Sequence, residues 1–144
     1  MAGLFYTHAL VEGASGMYNL VTSIAGKPFL FPGATDVLPA ALSRSQAASE
    51  LFSIAIIALG LNAALVANAA PEVQLPSALT ALAYHMLVLL NTFARLGLGY
   101  ITVGAEPENP SNAYTALLVH GVLAVLFLRR IAQLRSAVAA AKRR

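Results

Sequence analysis

Residues 51–71, LFSIAIIALGLNAALVANAAP, run for 21 positions without a charged side chain. Two further stretches share this property: residues 73–94 carry no charge over 22 positions, and residues 109–128 carry none over 20. A helix needs about 20 mostly apolar residues to cross the hydrocarbon core of a bilayer. Each of the three stretches is therefore long enough to be a transmembrane helix.

The composition favours the same interpretation. The 144-residue chain is 58% hydrophobic and 10% charged, and its mean hydropathy is +0.72, whereas soluble domains carry roughly 25% charged residues. A soluble fold of this length leaves much of its surface in water and could not hide so many apolar side chains. The absence of cysteine excludes disulfides, thiolate nucleophiles and cysteine-ligated zinc or iron–sulfur sites.

A fourth span is expected near the start of the chain, where Glu12 is the one formal charge in residues 3–26. A cleavable signal peptide is disfavoured there because no Lys or Arg precedes Lys27. The segment 26–42, GKPFLFPGATDVLPAAL, contains three prolines and two glycines and predicts a Pro-rich first loop. We expect Pro71 and Pro76 to bracket a tight turn, with the third helix starting at Pro76.

The sequence thus predicts an all-α fold, an integral-membrane four-helix bundle in which alanines and glycines allow close helix packing. We expect residues 1–144 to form a single membrane domain. Its expected spans are about 3–25, 46–69, 77–100 and 112–135, followed by a basic tail at 136–144.

Six of the nine basic residues lie at the C-terminal end: Arg129, Arg130, Arg135, Lys142, Arg143 and Arg144. The positive-inside rule places this end in the cytoplasm, and four spans return the N-terminus to the same side. The localisation predicted is a multi-pass membrane protein, in the endoplasmic reticulum if the cell is eukaryotic. The tail is expected to contact anionic lipid, and no nucleic acid partner is expected because the basic residues do not line a folded surface.

Each predicted helix carries polar groups at membrane depth, where an ionisable side chain costs about 2.5–3.5 kcal/mol and usually faces the bundle interior. On the first helix four polar residues fall within about 60° of one another. The polar groups are His8, Glu12, Ser15 and Asn19 on the first helix, Gln46, Glu50 and Ser53 on the second, Tyr84, His85, Asn91 and Arg95 on the third, and His120 on the fourth.

These groups predict a common internal site. Arg95 and Glu50 both lie away from the bilayer midplane and are expected to form a bidentate ion pair. Glu12 then lacks a guanidinium, and His8, one turn away, is its nearest candidate partner. A carboxylate beside an imidazole is the arrangement that general acid–base chemistry requires. The alternative reading of the Glu50–Arg95 pair is a structural one that fixes helix register only.

The candidate residues divide into two groups. The candidate catalytic residues are Glu12, Glu50, His85, Arg95, His8 and Tyr84, and the candidate substrate-binding residues are Asn19, Asn91, His120, Ser15 and Ser53. His8, His85 and His120 lie on different helices and could converge, but no HxxxH or ExxH spacing is present, so no metal site is predicted. No cofactor is expected either, because phosphate-binding and dinucleotide motifs are absent.

With four spans, a polar interior and a Pro-rich first loop, the chain resembles small four-helix membrane proteins. These include the DoxX-like group, small sterol-pathway scaffolds of the endoplasmic reticulum, and integral-membrane tailoring enzymes of fungal natural-product pathways. In size and layout it is similar to the membrane hydrolases proposed to open polyketide epoxides. The resemblance is architectural, and it assigns no catalytic residue.

Two classes of function follow. The first is a membrane enzyme that acts on a lipophilic small molecule by cofactor-free acid–base catalysis, with epoxide opening as the best guess and isomerisation of a sterol-like or polyketide substrate as a variant. The second is a non-catalytic scaffold or subunit whose polar groups hold helices together. A homo-oligomer is compatible with either.

Overall fold

The computed structural model describes residues 2–25, 39–97 and 110–143, with side chains described for residues 2–25, 50–93, 114–115 and 117–143. Within these ranges the regular structure is entirely helical. The helices are α1 Gly3–Ile24, α2 Pro39–Val66, α3 Pro71–Gly97 and α4 Pro110–Ala141. The predicted all-α class is confirmed, whereas most of the predicted Pro-rich first loop, residues 26–38, lies outside the described residues.

Proline sets three of the four helix starts, which differ from the predicted ones. Pro39, Pro71 and Pro110 are each the first residue of a helix, a position where the missing N–H of proline would have no partner anyway. The prediction that Pro71 and Pro76 bracket a turn was wrong, because the turn is at residues 67–70 and Pro76 lies inside α3. At the other end of the chain α4 continues to Ala141, so most of the predicted basic tail is helical.

The helices pack as two antiparallel pairs, α1 with α2 and α3 with α4, with smaller contacts between the pairs. Asn68, in the turn that joins the pairs, donates a hydrogen bond to the hydroxyl of Tyr6 near the start of α1, at 2.7 Å. Arg130 of α4 donates to the Oε1 of Gln74 at 2.6 Å. The beginning of α1, the turn at 67–70 and the second half of α4 therefore lie at one end of the bundle.

Gln74 holds that end together. Its side-chain amide donates to the carbonyls of Ala67 at 3.0 Å and Ala69 at 2.8 Å. Both carbonyls belong to the turn at 67–70, which follows the end of α2, so Gln74 supplies a side-chain donor to backbone groups outside the helices. The side chain is buried, and its remaining oxygen accepts from Arg130. One residue thus joins the turn at 67–70, the start of α3 and the second half of α4.

Two glycines allow α1 and α2 to approach closely, as the small-residue content predicted. A Cβ added at Gly60 would lie 3.0 Å from the carbonyl oxygen of Ala9 and 3.0 Å from the amide nitrogen of Gly13. A Cβ added at Gly16 would lie 2.7 Å from the Cγ1 of Ile57 and 3.0 Å from the carbonyl oxygen of Ser53. Backbone therefore contacts backbone across this interface, as is common for helices that pack in lipid.

Apolar side chains cover the outside of the bundle. Leu65, Leu10 and Leu118 are 74%, 73% and 68% exposed, while His8 and His85 are fully buried. The segments Pro71–Phe93 and Leu117–Ala141 are long and apolar enough to cross a membrane, and Glu50–Val66 is a shorter apolar helix. An apolar exterior around buried ionisable groups is unusual for a protein in water and supports association with a membrane.

Candidate functional site

Five polar side chains from three helices meet inside the bundle, and we call them the histidine–glutamate cluster. They are His8 and Glu12 of α1, Tyr84 and His85 of α3, and His120 of α4. His8, Glu12 and His85 are buried, and Tyr84 and His120 are half-buried. Helical spacing explains the contribution of α1, because residues four apart lie on the same face.

The three imidazoles form a chain with His85 in the centre. The Nδ1 atom of His85 lies 2.8 Å from the Nδ1 of His120, and its Nε2 lies 3.2 Å from the Nδ1 of His8. Both separations are hydrogen-bond distances. His85 therefore uses both ring nitrogens, one toward α4 and one toward α1, and links two helices that otherwise make few contacts with each other.

The chain of imidazoles has two consistent hydrogen-bond directions. A neutral imidazole carries one N–H and one lone pair, so the direction of one bond fixes the other. In the first arrangement His120 donates to His85 and His85 donates to His8, which leaves the N–H of His8 on Nε2. In the second both bonds reverse, and the Nε2 of His8 carries a lone pair. The two arrangements differ by the movement of protons along the chain.

Only one oxygen of the Glu12 carboxylate accepts a hydrogen bond from the described residues. The hydroxyl of Tyr84 donates to its Oε2 at 3.1 Å, while Oε1 lies 3.8 Å from the Nδ1 of His8, beyond hydrogen-bond range. Oε1 and the Nε2 of His8 are both buried and have no hydrogen-bond partner among the described residues. Buried polar atoms without a partner are costly, and such atoms in a native structure call for a functional explanation.

Phe127 closes the cluster on the side of the apolar core. Its ring stacks on His85 with centroids 5.8 Å apart, and it meets His8 edge-on at 5.1 Å and Phe5 edge-on at 5.8 Å. These contacts restrict the rotation of two imidazoles, so the ring nitrogens keep their positions. The core beyond is formed by Phe5, Ala63, Ala67, Ala78, Ala81, Phe127, Ile131 and Leu134.

The cluster contains five of the predicted site residues: His8, Glu12, Tyr84 and His85 from the candidate catalytic group, and His120 from the substrate-binding group. Asn19 and Ser53 are buried as well, but Ser53 lies at the α1–α2 interface, where its carbonyl faces Gly16. Among the described residues Asn19 makes no hydrogen bond to the cluster.

The prediction that Ser15 and Asn91 face the interior was wrong, because both are exposed. Ser15 donates to the backbone carbonyl of Glu12 at 3.2 Å, which turns its hydroxyl along the helix rather than into the bundle. Glu50 is half-buried. The side chain of Arg95 lies outside the described residues, so the Glu50–Arg95 pair stays a prediction.

One ligand atom from each of His8, Glu12 and His85 lies within 4.8 Å of the other two. Sequence spacing did not indicate this group, because its members come from two helices that are far apart in the chain. The position of Phe127 beside the imidazoles and the bond between Arg130 and Gln74 were missed for the same reason. The sequence feature that indicated a shared site was the presence of ionisable residues within the otherwise apolar helices.

Comparison with family models, curated proteins and solved structures gives no match. The fold alone does not specify a function, so function has to be inferred from the chemistry of the cluster.

Proposed function

We propose that this protein is an integral-membrane enzyme that acts on a lipophilic small molecule by acid–base catalysis in the histidine–glutamate cluster. The observation that carries the proposal is a pair of buried atoms, Glu12 Oε1 and His8 Nε2, that have no hydrogen-bond partner in the part of the chain that the structure describes and lie on side chains one helical turn apart. One can accept a proton and the other can donate one, as acid–base catalysis requires.

We further propose that the protein spans the membrane four times, with both termini in the cytoplasm and, in a eukaryotic cell, in the endoplasmic reticulum. The exposed apolar side chains on α1, α2 and α4 and the two long apolar segments support this arrangement. A lipophilic substrate would then reach the site from the bilayer. A homo-oligomer is compatible with the large apolar exterior.

The opening of an epoxide by water fits these groups best. The water oxygen attacks one epoxide carbon, the carbon–oxygen bond breaks, and the proton from water passes to Glu12 Oε1. The epoxide oxygen takes the proton from the Nε2 of His8. A second water molecule then carries the proton from Glu12 Oε1 to the Nε2 of His8, so the product is a neutral diol and both side chains return to their starting states. No redox step and no cofactor is needed.

The remaining members of the cluster position these two groups. Tyr84 holds the carboxylate of Glu12 through Oε2 and so leaves Oε1 for the proton from water. His85 donates to the Nδ1 of His8 in the arrangement that places the proton on Nε2. His120 in turn orients His85.

Turnover of lipophilic epoxides by the reconstituted protein tests the proposal. A panel of aromatic and alkyl epoxides is incubated in ¹⁸O-labelled water, and the diols are measured by mass spectrometry. We expect one ¹⁸O per diol, and a rate about 10²–10⁴-fold lower for Glu12→Gln, which is the usual contribution of a general base. Glu72→Gln is the matched control, because Glu72 is an exposed carboxylate at the start of α3.

Equal rates for Glu12→Gln and Glu72→Gln would contradict the role of Glu12. Rearranged product without ¹⁸O, lost in Glu12→Gln, would favour the isomerase variant, because isomerisation moves a proton without adding water. The scaffold remains the second candidate, since the bonds of the cluster join α1, α3 and α4. It predicts that Glu12→Gln changes stability and that no epoxide is converted by the unmodified protein.

A further inference from the structure

We propose that His8, Glu12 and His85 also form a binding site for a divalent transition-metal ion, with zinc as the best fit. The inference uses the same cluster but does not depend on the proposed reaction. It rests on the distances between the three candidate ligand atoms and on the partners that hold them.

The separations between the candidate ligand atoms approach those of a tetrahedral site. The Nδ1 of His8 lies 3.2 Å from the Nε2 of His85 and 3.8 Å from the Oε1 of Glu12, and the three residues meet within 4.8 Å overall. Zinc bonds of about 2.0–2.2 Å in tetrahedral geometry place ligand atoms about 3.3–3.5 Å apart. A rotation of the Glu12 side chain that moves Oε1 toward both nitrogens would therefore place all three atoms around one ion.

The ligand types suit zinc. Two imidazoles and one carboxylate are a known zinc ligand set, with the fourth position open to water or substrate. A set without thiolate and with two nitrogens favours zinc over magnesium or calcium, which prefer oxygen ligands. An ion would also give a strong interaction to Glu12 Oε1, a buried atom to which no described side chain or backbone group donates a hydrogen bond.

Two further side chains hold the candidate ligands as outer partners hold them in metal sites. The Nδ1 of His85, the atom that faces away from the candidate site, lies 2.8 Å from the Nδ1 of His120. The hydroxyl of Tyr84 donates to the oxygen of Glu12 that is not a candidate ligand, at 3.1 Å. In the loaded site His85 carries its proton on Nδ1 and donates to His120, which frees Nε2 for the ion.

Zinc and the acid–base reaction use the same oxygen of Glu12. A bound ion would occupy Oε1, the atom proposed to accept the proton from water. We therefore expect added zinc to inhibit epoxide turnover at the concentrations at which it fills the site, and a chelator to restore it.

Zinc binding to the full-length protein in detergent micelles tests the inference without any substrate. The chain contains three histidines, all of them in the cluster, so the protein must be purified without a histidine tag. Zinc chloride is titrated into chelator-treated protein against a competing zinc indicator. We expect one zinc per chain, and an affinity at least about 100-fold lower for Glu12→Gln than for the control Glu72→Gln. His120→Gln should lower the affinity by about 10–100-fold, as loss of an outer partner does.

The absorption spectrum of the cobalt-loaded protein is the second measurement, and it needs no variant. We expect the intense visible bands of four-coordinate cobalt, which added zinc abolishes. The inference is overturned if the unmodified protein binds less than one zinc per chain, if Glu12→Gln and Glu72→Gln bind zinc equally, or if cobalt shows only a weak six-coordinate spectrum. Absence of epoxide turnover would leave the zinc site standing, and absence of zinc binding would leave the acid–base mechanism standing.

Discussion

Replacement of Gly60 by alanine measures how closely α1 and α2 pack. The new Cβ would lie 3.0 Å from the carbonyl oxygen of Ala9, 3.0 Å from the amide nitrogen of Gly13 and 3.5 Å from the Cα of Gly13. Comfortable separations between non-bonded carbon atoms are about 3.5–4.0 Å. These neighbours are backbone atoms and cannot rotate away, so the two helices must move apart by several tenths of an ångström. A Cβ added at Gly13 meets nothing within 4 Å, which makes Gly13→Ala the matched control.

The difference between the two variants isolates the cost of packing. Alanine in place of a helical glycine stabilises a helix by about 1 kcal/mol, and both variants gain this amount. Insertion of a methyl group into a closely packed interface costs about 1–3 kcal/mol, and this cost falls on Gly60→Ala alone. We therefore expect the free energy of unfolding of Gly60→Ala to be about 1–3 kcal/mol lower than that of Gly13→Ala.

Unfolding in mixed micelles gives the measurement. The two variants are titrated with sodium dodecyl sulfate in a non-ionic detergent, and helix content is followed by far-ultraviolet circular dichroism. The unfolding midpoint of Gly60→Ala should fall below that of the unmodified protein, and the midpoint of Gly13→Ala should not. If the two variants unfold together, the backbone contact between α1 and α2 is not as close as the structure has it.

Three further predictions concern the cluster, the end of the bundle and its exposed apolar surface. Tyr84→Phe removes the donor to Glu12 Oε2 and should lower kcat for epoxide opening by roughly ten- to a hundred-fold, since a hydrogen bond to a charged group contributes about 1.5–3 kcal/mol; unchanged kcat in the epoxide assay would contradict the positioning role. Gln74→Ala leaves two carbonyls of the turn at 67–70 without their side-chain donor and should cost about 1–3 kcal/mol in the same unfolding titration, whereas an unchanged midpoint would show that water replaces the amide. In proteoliposomes, a membrane-impermeant maleimide should label Arg143→Cys but not Leu65→Cys, because Leu65 is 74% exposed on the bundle surface and would face lipid. Equal labelling of the two variants would argue against a bilayer around α2.

The helical class could be predicted because it depends on a local property. A charge-free run such as 51–71 can form all its backbone hydrogen bonds within one helix, so no tertiary information is needed to identify it as helical. The helix starts were harder, because proline stops one helix and starts another equally well. At Pro71 it starts α3, although the sequence was also consistent with a turn that continued to Pro76.

The face of α1 that carries the site was largely predictable, and the cluster was not. Burial of His8 and Glu12 was expected from helical periodicity and from the cost of ionisable groups in lipid. Ser15 is exposed instead, and its hydroxyl donates to a backbone carbonyl of its own helix. The meeting of His8, His85 and His120 depends on the rotation and relative depth of three helices. These are set by packing contacts such as those of Gly60 and Phe127, which no spacing within one helix encodes.

Nuclear magnetic resonance of the three histidine rings tests whether α1, α3 and α4 bring His8, His85 and His120 into one internal hydrogen-bonded chain. The measurement is nitrogen–nitrogen correlation across hydrogen bonds in ¹⁵N-histidine-labelled protein in bilayers. This arrangement of the rings predicts that His85 correlates with both others, through Nδ1 with His120 and through Nε2 with His8. Three rings without mutual correlations, each exchanging its proton freely with water, would contradict it.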